Sequence, residues 1–135
     1  MPVTADKLYA LFCSDRDGVR RVYVTQRASV TAPWDPPQLV PELDDGYPIS
    51  SIAMDGTGTY LVFSSIRPGG AGGLDLYFAT RAALADPWSS PTALTELNTA
   101  LQEIDPTIAA DLHVLAFVRG TANNSADRDL FISER

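Results

Sequence analysis

Arg67 and Asp75 flank the loop Pro68-Gly69-Gly70-Ala71-Gly72-Gly73. A guanidinium and a carboxylate placed across a hairpin loop have two uses: to bridge the loop and cap its free amides, or to meet a polar ligand. The structural use is the first expectation; a ligand-binding pair is the alternative. The glycines are no phosphate cradle, because the Lys-Ser/Thr of a P-loop is missing and no helix follows. Gly70, Gly72 and Gly73 are instead expected where the backbone needs positive φ. Asp15-Arg16-Asp17-Gly18 and Asp127-Arg128-Asp129 alternate carboxylates as hard-cation sites do. Asp15, Asp17 and Asp127 are therefore weak candidates for calcium, with an Arg in the middle of each run and too few oxygens for a closed site. Asp44-Asp45-Gly46 is equally incomplete, and no metal or other cofactor is expected.

The remaining reactive side chains are sparse. His113 and Cys13 are each the sole residue of their kind, which leaves zinc chemistry and a Cys-His dyad poorly supplied. Ser14, Ser64 and Ser65 lie at strand ends without a nucleophile-elbow pattern and are expected to bond loop amides. Trp34 and Trp88 each follow a proline in a loop. Packing over a sheet edge is their expected role, and contact with a sugar or peptide ligand the alternative. Asn123-Asn124-Ser125 fits the N-glycosylation pattern but reads more simply as a polar turn. No catalytic residue is assigned.

These residues sit in a chain that repeats. Arg27, Arg81 and Arg135 recur every 54 residues, each after an apolar run: Val22-Tyr23-Val24, Leu76-Tyr77-Phe78 and Leu130-Phe131-Ile132. Pro33-Trp34 and Glu42-Leu43 return as Pro87-Trp88 and Glu96-Leu97 at the same interval. Upstream, Tyr9-Ala10-Leu11-Phe12, Tyr60-Leu61-Val62-Phe63 and Val114-Leu115-Ala116-Phe117 occupy one place in successive units. Before them come Val3-Thr4-Ala5-Asp6, Ile52-Ala53-Met54-Asp55 and Ile108-Ala109-Ala110-Asp111, with a glycine turn opening at Asp55. Each unit reads as a short strand, a turn, two apolar strands and a weaker fourth strand near Gln38–Leu43 or Thr92–Leu97. Four short strands without helical periodicity describe a β-propeller blade. Consecutive apolar residues in the central strands mean both faces are covered, as in stacked blades. A β-sandwich has no reason to repeat at this interval, and solenoid coils are usually shorter.

The second unit, from Asp55-Gly56 through Phe63-Ser64-Ser65-Ile66-Arg67 to Asp75-Leu76-Tyr77, resembles the WD-like propeller repeat of the TolB-type family. The first unit keeps Ser14-Asp15-Arg16 and Tyr23 but has Arg21 where the pattern has Asp. The third keeps Asp129-Leu130-Phe131, with Arg119-Gly120 in a shortened segment. The resemblance implies that Arg16, Asp55, Tyr77 and Asp129 are structural repeat residues. It also implies a docking or recognition module, and a periplasmic or cell-surface setting in bacteria.

The expected fold class is all-β: three antiparallel units at about 1–48, 49–103 and 104–135, the last without its outer strand. That gives at most eleven strands. Three blades leave two open faces, which two chains closing into a six-bladed ring would cover; a longer propeller protein or a non-propeller arrangement would cover them otherwise. The homodimer is the favoured expectation. With 17 acidic residues against 10 basic ones and a net charge of −7, nucleic-acid binding is disfavoured. No apolar stretch is long enough for a membrane helix and no leader is visible in the chain as given. The function expected is a non-catalytic interaction module binding a protein or polysaccharide through loops or a central channel. The alternative is a hydrolase or lactonase holding a cation in that channel, which needs Asp15, Asp55, Asp105, Asp111 or Asp127 to converge.

Overall fold

A computed structural model of the chain describes residues 1–109, 111–121 and 124–134. They form three antiparallel sheets in chain order. The first contains β1 (Tyr9–Ser14), β2 (Arg21–Gln26) and β3 (Gln38–Leu39); the second β4 (Ile49–Met54), β5 (Tyr60–Ser65), β6 (Asp75–Thr80) and β7 (Thr92–Ala93); the third β8 (Gln102–Ile108), β9 (Val114–Gly120) and β10 (Asp129–Glu134). Every strand pairs with its neighbour in sequence, the meander of a propeller blade.

Two details differ from the strand pattern expected. Ten strands are seen among the described residues, because the inner strand of the first sheet is reduced to one bridge, Val3 to Ala10. The third sheet starts at Gln102, two residues before the expected boundary. Arg27 and Arg81 lie just beyond β2 and β6; Arg135 lies outside the described residues.

Turn closure sets the true alignment of the units. Thr4 N–H bonds Tyr9 O, Asp55 N–H bonds Tyr60 O, and Ala109 N–H bonds Val114 O. Asp55 therefore occupies the place of Thr4, not that of Asp6, a shift of two residues from the motif alignment. The chemistry is kept by exchange: Thr4 donates its hydroxyl to Asp6, while Thr57 donates its hydroxyl to Asp55. At the fourth turn position Lys7, Gly58 and Leu112 all have positive φ, a conformation that glycine adopts without the Cβ penalty.

Side-chain alternation explains the stacking. On β5, Leu61 and Phe63 join a core with Tyr9, Leu11, Val22, Val40 and Leu43 of the first sheet and Ile49, Tyr77 and Trp88 of the second. The intervening Val62 joins Leu76, Leu94 and Phe117 in a core shared with the third sheet. The middle sheet is thus covered on both sides, which is why its strands lack wet alternation. Among the described residues, the first and third sheets each keep one face without a neighbouring sheet.

Candidate functional site

The sequence placed its sharpest chemistry in the β5–β6 loop. Arg67 does not pair with Asp75: its Nη1 meets Asp45 at 3.1 Å, on the connection leaving the first sheet. Its guanidinium lies 4.6 Å from the centre of the Phe63 ring and 5.5 Å from that of Tyr77. Arg67 is buried, and burial lowers its pKa against the opposing pull of Asp45. Asp75, also buried, accepts the Gly72 N–H at 3.1 Å, and Tyr77 donates its hydroxyl to Arg67 O at 2.7 Å. Burial and the neighbouring Asp75 raise the Tyr77 pKa.

Each blade repeats this cation over a ring pair. Phe12–Tyr23, Phe63–Tyr77 and Phe117–Phe131 are stacked at 6.0, 6.0 and 5.8 Å. Arg16, Arg67 and Arg119 lie over them, at 4.6, 4.6 and 4.4 Å from the nearer ring. In the first two blades the Arg Nε also donates to a serine two residues earlier, Ser14 or Ser65. In the third, Arg119 reaches Glu103 Oε1 at 2.8 Å and Leu97 O at 2.6 Å. Glu103 is 0% exposed and also accepts from Thr99. No sequence signal marked Glu103, which takes the place of apolar Ile49 one repeat earlier.

A second repeated clamp lies at the opposite end of the strands. Arg27 stands 4.3 Å from the Trp34 ring and Arg81 4.1 Å from the Trp88 ring. Their Nε atoms donate to Lys7 O and Gly58 O, the equivalent turn positions. Trp88 is 5% exposed and built into the core between the first two sheets, where Arg81 also covers Tyr9. Trp34, on the first sheet's open side, is half-buried.

The carboxylates proposed for a cation are dispersed. Asp17 accepts the Tyr23 hydroxyl, a bond that raises the tyrosine pKa. Asp127 accepts the amide and hydroxyl of Thr121, and Asp111 accepts the His113 N–H. Asp15 O closes a turn onto Gly18 N–H, and Asp129 is exposed opposite Arg119 on β10. Asp105 has φ 52° at the β8 bulge, with its N–H on Ser51 Oγ. Among the described residues no cluster of three His, Cys, Asp or Glu is placed to hold a metal ion. Asn124 Oδ1 accepts the Ala126 N–H; Asn123, of the glycosylation pattern, lies outside the described residues.

Asp55 is buried, and burial on its own raises its pKa. Hydrogen bonds from the Thr57 hydroxyl and from the N–H groups of Tyr60, Thr59 and Thr57 outweigh that and hold it below its ordinary value.

The glycine loop also differs from its expected rationale. Gly69 has positive φ, whereas Gly72 is needed for close approach: a Cβ there would lie 2.5 Å from Thr99 O.

Two of the spaces among the described residues adjoin candidate reactive side chains. A cavity of about 200 Å³ between the second and third sheets is floored by Val62, Leu97 and Ile108, with His113 and Glu134 among its lining residues. A depression of about 330 Å³ is lined by Cys13, Arg20, Ser51 and Asp105. Burial raises the Cys13 pKa despite Arg20.

The sheets and their repeated clamps define β-propeller-like blades. No family model and no curated protein matches the chain. Among solved structures, TolB from Acinetobacter baumannii is similar, with a TM-score of 0.63 and 16% identity over 98% of this chain and 29% of that one. The likeness shows a TolB-like, β-rich fold. The chain spans less than a third of that protein.

Proposed function

We propose that the chain is part of a non-catalytic propeller recognition module, binding a protein or polysaccharide through its loops. The observation that carries this reading is where the reactive side chains are engaged. Arg67, Asp75, Tyr77, Asp55, Glu103 and Trp88 are buried and hold loops or blades in place. Half-buried Trp34, the exposed connection Asp15–Arg20 and the cavity beside His113 remain open to a ligand. TolB-like folds supply precedent for the scaffold alone, since a fold hosts many functions.

The test is calorimetric titration with Ca²⁺, followed by ester and lactone hydrolysis assays with and without the ion, beside binding to peptide and glycan arrays. The reading expects saturable binding to an array ligand, weakened by substitution of Trp34, and turnover no faster than background. Stoichiometric Ca²⁺ binding that switches on hydrolysis would replace it with the cation-dependent lactonase.

A further inference from the structure

The cavity between the second and third sheets has a filled counterpart one repeat earlier. Tyr60, Val62, Leu94, Leu97, Ile108 and Leu115 line it. Turn closures and strand registers place them at the positions of Tyr9, Leu11, Val40, Leu43, Met54 and Leu61. Those six residues belong to the core between the first two sheets, and the same core contains Trp88. Ser133, also at the cavity, repeats Ala79: each stands opposite the leucine of the adjoining strand, Leu115 or Leu61. The cavity is therefore bounded by the equivalents of residues that, one blade earlier, share a core with an indole.

Burial follows the same contrast. Leu43, Met54 and Leu61 are buried, as is Trp88, whereas Leu97, Ile108 and Leu115 are only half-buried. Where the first interface holds an indole, the second holds about 200 Å³ of space, with exposed His113 and Glu134 among its lining. An apolar cavity of about 150 Å³ takes up benzene, so this one has room for a larger ring. One difference suits a ring that carries an N–H. Trp88 Nε1 is buried without a hydrogen-bond partner, but Ser133 brings a hydroxyl oxygen to the wall in the place of Ala79.

We infer that this cavity is a binding site for an indole ring, the side chain of a tryptophan on a protein partner. The inference deepens the recognition-module reading at the cavity beside His113 and rests on it, narrowing the ligand from a protein or polysaccharide to a protein with an accessible tryptophan. The ring gains by leaving water for an apolar floor, as an aromatic anchor does when it fills a pocket in an interface. Its type is set by the repeat: six wall positions correspond to residues that already share a core with Trp88.

The experiment is calorimetric titration with N-acetyltryptophanamide, 3-methylindole and N-acetylleucinamide, beside intermolecular NOEs measured on the carbon-13-labelled chain. Both indole probes should bind saturably, with NOEs from their ring protons to the methyl groups of Ile108 and Leu115. The leucine amide, which leaves much of the cavity unfilled, should bind about tenfold more weakly or worse. Ser133→Phe places a ring in the same space; it should keep native circular dichroism and weaken both indole probes by about tenfold. The NOEs are read on the wild-type chain, so they decide the matter even if that variant unfolds. Absence of NOEs to the cavity, equal affinity for the leucine amide, or binding of 3-methylindole without the tryptophan amide each overturns the inference. Binding of array ligands with no indole contact here overturns it alone, whereas hydrolysis switched on by Ca²⁺ overturns the reading beneath it.

Discussion

Removing Arg119 should cost more than removing the carboxylate it holds, and the structure says why. Glu103 is 0% exposed, and its charge is met by Arg119 at 2.8 Å and by the hydroxyl and N–H of Thr99. In Arg119→Met the apolar stem still covers Phe117 and Phe131, but a buried carboxylate loses its cation. Breaking a buried pair this way costs about 3–5 kcal/mol. Glu103→Gln leaves Arg119 with Leu97 O, both rings and partial solvent access; about 1–2 kcal/mol is expected for the lost charged bond. The double variant should be more stable than the sum of the two losses predicts, by about 1–3 kcal/mol of coupling. Urea unfolding followed by circular dichroism, with m-values compared, measures all four corners of the cycle. Equal costs for the two single variants, or strict additivity, would refute the argument that Arg119 neutralises a buried charge.

Other consequences follow from the same packing. Trp88→Ala should cost about 3–5 kcal/mol because it empties core between two sheets, whereas Trp34→Ala, at the half-buried equivalent, should cost the monomer only about 1 kcal/mol by thermal melting. Asp55 has a pKa held down in the folded state, so its stabilisation is complete above the unfolded value near about 3.9 and is lost as pH falls through the lower folded value. Wild type should therefore lose more stability than Asp55→Asn between neutral and strongly acidic pH; parallel pH profiles would contradict this. Gly72→Ala should destabilise by about 1–3 kcal/mol in denaturant melts, since its Cβ meets the backbone of Thr99 and Ala100.

The blades were legible in the sequence because the period survives in the strands, where ring stacking within a sheet and packing against the next one confine substitutions. Phe12, Phe63 and Phe117 all fall in stacked pairs for that reason. Turns kept only their chemistry: Thr4-Asp6 and Asp55-Thr57 exchange roles, so aligning aspartates shifted the unit by two residues. Partner choice was not legible. Asp75 is nearer to Arg67 in sequence than Asp45 is, yet Asp45 makes the ion pair because consecutive blades meet there. Trp34 and Trp88 share a motif and a clamp but differ in burial, since only Trp88 has a preceding blade in the chain.

Amide hydrogen exchange, read strand by strand on a dilute monomeric sample, tests the stacking most directly. Two covered faces should make β5 and β6 the slowest strands to exchange, with β10 fast beside exposed Leu130 and Ile132. Uniform protection across the three sheets, or slowest exchange in β9 and β10, would contradict a middle blade held between two others.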